Sequence, residues 1–128
     1  MKLLLDTSAL LWWFSDSKLL PSAIAAQIEN PANTILVSAA SAWEICTKVR
    51  IGKLPTGRAL CEDFGGYLVR YHFDSLAISV EHARLAGSLS GDHKDPFDRV
   101  LAAQALSEDL PLVTNDVALA TFGVRILW

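Results

Sequence analysis

Asp6 follows the apolar run Leu3-Leu4-Leu5, Glu44 ends Ser41-Ala42-Trp43-Glu44, Asp98 lies in Asp95-Pro96-Phe97-Asp98-Arg99, and Asp116 follows Leu112-Val113-Thr114-Asn115. These four acids are far apart in the chain, yet each stands at the end of a strand pattern or near the start of a helix pattern. If they converge, two carboxylates about 4 Å apart repel by roughly 4 kcal/mol at an effective dielectric near 20, and several such pairs would form. Such a group must raise its pKa values, split apart or hold a cation. With carboxylates as donors and no His or Cys at ligand spacing, the expected occupant is a hard ion, Mg2+ or Mn2+, rather than zinc. A divalent ion there lowers the pKa of a bound water and neutralises charge growing on a phosphoryl oxygen, so phosphodiester hydrolysis is the leading chemistry. Thr7 and Ser8 on one side, and Thr114 and Asn115 on the other, are polar groups suited to orienting the acids or metal-bound waters.

Each acid also has a structural explanation. Ser41 with Glu44 matches a capping box, Asp95 with Asp98 an N-cap followed by an acidic first turn, and Asn115-Asp116 a turn. Asp6 is harder to explain in this way, because an acid ending a buried strand must have its desolvation compensated by neighbours.

The elements that must bring the acids together are short. Leu3–Leu5 reads as a central strand, with Thr7-Ser8 capping a helix that runs through Phe14. Pro21 suits a first helical turn, and Ile24, Ala25 and Ile28 recur at helical spacing until Asn30-Pro31. Ile35–Val37 is a second strand; Ser38 opens a helix to about Val49, and a further helix covers Ala59 to Tyr71 despite Gly65-Gly66. Leu76–Ile78 is read as a third strand, Val80–Leu89 as a helix, and Ser90–Lys94 as a polar surface loop. Asp95-Pro96 starts a helix that extends toward Pro111, Leu112–Thr114 is a fourth strand and Val124–Leu127 a fifth. The alternation predicts one α/β domain over residues 1–128, with a central, mainly parallel sheet of about five short strands and helices on both faces. In such a sheet the C-terminal strand ends share one edge, and all four acids map to it.

The chain has 128 residues, of which 52% are hydrophobic and 20% charged, with a formal net charge of −3. The size fits a single core, and the charge argues against wholesale electrostatic wrapping of nucleic acid. Cys46 and Cys61 form no CxxC pair, which favours reduced thiols over a disulfide or a zinc framework. The start, Met-Lys-Leu-Leu-Leu-Asp, meets an acid too early for a signal peptide or membrane span, so a soluble cytoplasmic protein is expected.

Several segments together resemble a known family: Leu-Leu-Asp-Thr-Ser-Ala-Leu near the start, Val-Ser-Ala-Ala-Ser-Ala-Trp-Glu-Ile at 37–45, Gly-Lys-Leu at 52–54, His-Lys-Asp-Pro-Phe-Asp-Arg-Val-Leu-Ala-Ala-Gln-Ala at 93–105 and Leu-Val-Thr-Asn-Asp at 112–116. In order and spacing they are similar to PIN-domain ribonucleases, above all the VapC-type toxins of bacterial toxin–antitoxin pairs. The resemblance implies a PIN-like fold, with Asp6, Glu44, Asp98 and Asp116 as the metal-coordinating acids. It also implies an RNA substrate, a homodimer and a small antitoxin encoded beside the toxin. The family pattern places its acid directly before Val-Leu-Ala-Ala-Gln-Ala, which favours Asp98 over Asp95, whereas the family's last acidic position is looser and admits Asn in place of Asp116. Near these motifs, Lys48, Arg50, Lys53, Lys94 and Arg99 are candidate contacts to RNA phosphates, with a solvated helix face as the alternative.

Trp12, Trp13 and Phe14 cannot all face one interior from a helix, so at least one is expected at an interface. His72, His82 and His93 are scattered and read as structural or exposed. Among rival readings, a receiver domain requires paired acids at the first strand and an Asp after the third, but here Asp6 is followed by Thr7-Ser8 and the third strand leads to Ser79. A phosphatase of the Asp-x-Asp-x-Thr kind fails because position 8 is Ser. A PIN-like RNA- or protein-binding module without significant turnover is the alternative that stands.

Overall fold

The computed structural model describes all residues, 1–128. β1 (Lys2–Leu5) is the middle strand of a five-stranded sheet in the order β3-β2-β1-β4-β5, in which every paired strand is parallel. Here β2 is Thr34–Ser38, β3 Asp74–Leu76, β4 Leu112–Val113 and β5 Ile126–Leu127. Leu3, Leu4 and Leu5 are all fully buried, as a strand covered on both faces requires.

The two-residue period of the strands divides the core. Leu3, Leu5, Ile35, Val37 and Val113 face one layer, made by α1 (Thr7–Phe14), α2 (Ser22–Glu29), α3 (Ala39–Arg50), α4 (Arg58–Glu62) and α5 (Phe64–Arg70). Leu4, Leu36 and Leu112 face the other, where α7 (Pro96–Ser107) packs through Leu101, Ala102 and Ala105. The helix α6 (Val80–Ser88) lies against α7, and two 3₁₀ turns, Pro55–Gly57 and Val117–Phe122, complete the chain. The strand order reverses at β1: the chain goes to β2 and β3 on one side, then crosses to β4 and β5 on the other. A switch of this kind opens a crevice at the C-terminal strand ends.

Several boundaries differ from those read in the sequence. The cap of α1 is Asp6, not Thr7 or Ser8; its Oδ1 accepts the Ala9 N–H at 2.7 Å, while Thr7 is already helical. Pro21 is the residue before α2, not within its first turn. The stretch 59–71 is two helices, broken at Asp63 (φ −143°, ψ 53°), where the backbone leaves helical space just ahead of the weak formers Gly65-Gly66. The third strand pairs at Asp74–Leu76 rather than Leu76–Ile78, because its register against β2 is fixed by Leu36 opposite Asp74 and Ser38 opposite Leu76.

Cys46 and Cys61, expected as separate thiols, are joined as a disulfide between α3 and α4, with Cα atoms 5.3 Å apart. The helix–turn–helix geometry brings them together across 15 residues of sequence, and no spacing motif announces it. No helix is long and apolar enough to cross a membrane.

Candidate functional site

Each predicted acid is carried toward the C-terminal edge of the sheet by a different element. Asp6 follows β1, and Asp116 follows β4 after Thr114-Asn115, as the cap of the second 3₁₀ turn. Glu44 comes from α3, which starts at the end of β2, and Asp98 from the first turn of α7.

The alternative structural roles separate these residues. The capping-box reading of Ser41–Glu44 fails, because the cap of α3 is Ser38, whose Oγ accepts the Ala40 N–H at 3.0 Å. Ser41 is fully buried and its hydroxyl meets that of Thr7 at 3.0 Å, locking α3 to α1. Glu44 thus lies buried in the second turn without a capping role, and its Oε1 has no hydrogen-bond partner. Asp95 is the cap of α7, accepting the Phe97 and Asp98 N–H groups at 2.9 and 3.3 Å, which leaves the Asp98 carboxylate to the crevice. Asp116 does have a capping role, since its Oδ1 accepts the Ala118 N–H at 3.0 Å.

The carboxylates feel one another. Burial is the main reason that the pKa of Asp6 is pushed up to about 6; Asp98 and Glu44 push the same way, while the Thr114 hydroxyl and the Ala9 N–H hold it down. Asp98 is likewise raised, first by burial and then by Asp95 and Glu44, against the pull of His93. Lys48 offsets part of this charge: its Nζ lies 2.5 Å from Glu44 Oε2, and its pKa is raised chiefly by that hydrogen bond.

One donor atom each from His93, Asp98 and Asp116 falls within 4.8 Å of the others, close enough to share a cation. His93 is a departure from the sequence reading, which placed no histidine at ligand spacing. Its Nε2 lies 3.0 Å from Asp98 Oδ2. The available signal was its position five residues before Asp98, across a helix cap, a spacing that matches no regular ligand motif. His82, by contrast, is structural: it forms a capping box with Ser79 and its Nε2 meets Glu108 at 2.8 Å.

The supporting polar residues divide as well. Thr114 is fully buried; its hydroxyl holds the pKa of Asp6 down and accepts the Asp116 N–H at 3.0 Å, so one hydroxyl acts on two of the acids. Thr7 serves the α1–α3 contact, and Ser8 and Asn115 are exposed. Gln104, which the sequence reading passed over, is fully buried; it accepts the Ser38 hydroxyl at 2.5 Å and donates to the Ala77 carbonyl at 3.2 Å, tying α7 to the end of β2.

Of the five candidate phosphate contacts, Arg50, Lys53 and Lys94 are exposed cations. Lys48 is committed to Glu44. Arg99 is turned away from any phosphate: all three of its nitrogens donate to backbone carbonyls, Nε to Ala86 at 2.8 Å, one terminal nitrogen to His93 at 2.8 Å and the other to Leu89. The aromatic run at the end of α1 finds partners inside the chain: Trp12 against Trp128, Trp13 against Tyr71 and Phe73, and Phe14 against Tyr67 and Tyr71. Beside them lies an open, largely apolar hollow of about 340 Å³, lined by Leu11, Trp12, Phe14, Leu54, Leu60 and Tyr67 among others.

This donor set suits a hard divalent cation. Burial, with the neighbouring carboxylates adding to it, has already raised two of the acids, and a buried carboxylate oxygen without a partner is the kind of atom an ion satisfies.

Residues 3–124 match the family model described as the PIN domain. No curated protein matches the chain in sequence. Among solved structures, the chain is similar to VapBC2 from Rickettsia felis bound to a DNA fragment from its promoter (TM-score 0.70, 20% identity, covering 100% of this chain and 98% of that one). It is similar also to VapBC-1 from nontypeable Haemophilus influenzae (0.69, 17%, 99% and 97%) and to a toxin–antitoxin complex from Klebsiella pneumoniae (0.58, 21%, 91% and 88%).

Proposed function

The chain belongs to the PIN-domain family, a family of nucleases, and from that premise we propose that it is a metal-dependent endoribonuclease, the toxin of a type II toxin–antitoxin pair. The observation that carries this reading is the coupling of Asp6, Glu44 and Asp98 in one crevice, joined by Asp116 through its approach to Asp98.

In this reading Asp6, Glu44, Asp98 and Asp116 hold Mg2+ or Mn2+. The bound ion supplies a more acidic water and a counter-charge for the phosphoryl oxygens. The chain's own residues prepare the ground. Thr114 orients Asp6, Lys48 holds one oxygen of Glu44 and leaves the other to the crevice, and the α1 cap fixes Asp6 Oδ1. Arg50, Lys53 and Lys94 are left to meet the RNA backbone from the rim. The toxin assignment draws on the toxin–antitoxin likeness in fold, and the apolar hollow beside α1 is a suitable seat for an antitoxin segment; a homodimer is part of the same reading.

The test is cleavage of a mixed single-stranded RNA pool by the purified chain with Mg2+ or Mn2+. Asp6→Asn and Asp98→Asn, both folded by circular dichroism, are expected to lose cleavage by at least 100-fold. No cleavage by the parent with either ion would leave a binding module instead.

A further inference from the structure

We infer that His93 is itself a metal ligand, its Nε2 sharing the ion with Asp98 and Asp116, so that the centre is a mixed nitrogen–oxygen site that favours Mn2+ over Mg2+. The inference rests on the metal-centre reading above and goes beyond it in donor type and in choice of ion.

The spacing is close to that of ligands around one ion, and small side-chain rotations bring it within that range. Adjacent donors of an octahedral site with bonds of about 2.1 Å lie about 3.0 Å apart, and opposite donors about 4.2 Å apart. His93 Nε2 stands 3.0 Å from Asp98 Oδ2, and the three donors together fit within 4.8 Å.

The placement of His93 is also built. It belongs to the loop after α6, where a polar residue would ordinarily point into water. Instead its carbonyl accepts from Arg99, whose other nitrogens bind Ala86 and Leu89, so a single guanidinium ties the loop to the last turn of α6. The imidazole packs edge-on to Phe122 with ring centres 6.0 Å apart, and Phe122 in turn stacks under Arg99. The side chain is about four-fifths buried, at 20% exposure, and its Nε2 faces the acids.

The chemistry gives the arrangement a purpose. Asp98 already feels Asp95 and Glu44 and lies close to Asp116, so a further carboxylate would add repulsion, whereas an imidazole in its neutral form adds a donor without charge. Mg2+ prefers oxygen and holds its waters tightly, while Mn2+ lies on the transition-metal series whose later members accept imidazole increasingly well. A nitrogen ligand therefore biases the site toward Mn2+.

The deciding measurement is pulsed electron paramagnetic resonance on the full chain loaded with Mn2+. Nitrogen modulation from one directly bound imidazole is expected, shifted when the protein is made with ¹⁵N-histidine. His93→Gln should lose it, and should bind Mn2+ about 10- to 100-fold more weakly while Mg2+ affinity changes less than threefold, both read by calorimetry. If Mn2+ binds the parent without nitrogen modulation, His93 merely orients Asp98 through a hydrogen bond, and the inference falls while the metal centre stands. If neither ion binds the parent, both fall. Should His93→Gln not fold, the spectrum of the labelled parent decides alone.

Discussion

Asp6 has two duties that oppose each other. As the cap of α1 it satisfies the Ala9 N–H, a task an uncharged Asn performs equally well. As a buried carboxylate among others it destabilises the metal-free fold, because its pKa of about 6 in the native state exceeds the 3.8 of an ordinary aspartate. The sign follows from proton linkage. Between pH 4 and 6 the folded chain binds the proton that the unfolded chain has released, so this group's contribution to stability falls as pH rises through that window. The full difference corresponds to about 3 kcal/mol above pH 6. In chelator, Asp6→Asn should therefore be more stable than the parent at pH 7, by up to that amount, and equal to it near pH 4. Urea denaturation across this range checks the point, and a variant no more stable at pH 7 would show that the burial cost of Asp6 is met without metal. Glu44 was legible as a candidate acid but not as an orphan: its freedom depends on Ser38 taking the cap of α3 and Ser41 turning to Thr7, choices made by packing between helices rather than by local sequence.

At the scale of elements, strands and long helices were legible because each carries a periodic apolar pattern: β1, β2, α3 and α7 stand where the pattern puts them. The shift of β3 and the break at Asp63 were not, since three residues of strand have too little period to fix register, and the pairing with β2 fixes it instead. Arg99 shows the same limit most clearly. Beside Asp98 in sequence, it reads as a phosphate contact; in space it leaves the crevice and clamps the loop after α6. Hydrogen bonds from a charged donor are worth roughly 1.5–3 kcal/mol each, and a lysine ammonium cannot span three carbonyls in the guanidinium's planar geometry. Arg99→Lys is expected to lose about 2–4 kcal/mol of stability. The loss should be local in origin: hydrogen exchange should quicken first at residues 89–95, with the amides of β1 protected until global unfolding. Uniform acceleration along the chain would refute the clamp.

Over the whole molecule, charge and topology decide how the proposed RNA substrate would be met. A net charge of −3 with four acids in the crevice repels a polyanion, so approach depends on the few cations at the rim. The structure withdraws two of the five candidates, Lys48 to Glu44 and Arg99 to backbone, and leaves Arg50, Lys53 and Lys94. Each phosphate neutralised on a single strand contributes about −0.7 to the slope of log affinity against log salt, so three cations on one protomer give about −2. Binding of a single-stranded RNA to Asp98→Asn, which cannot turn it over, should show that shallow slope in Ca2+ or Mn2+ between 50 and 200 mM salt, roughly a 16-fold loss of affinity. Lys53→Ala should flatten it by about 0.7, and Arg99→Ala should leave it unchanged in whatever fraction remains folded. A slope steeper than about −4 per protomer would mean that a larger basic surface takes part, one formed across a second subunit or by an arginine now bonded to carbonyls. That outcome would move recognition from the rim of one crevice to an assembled surface, while leaving the acids at the sheet switch point as the proposed place of chemistry.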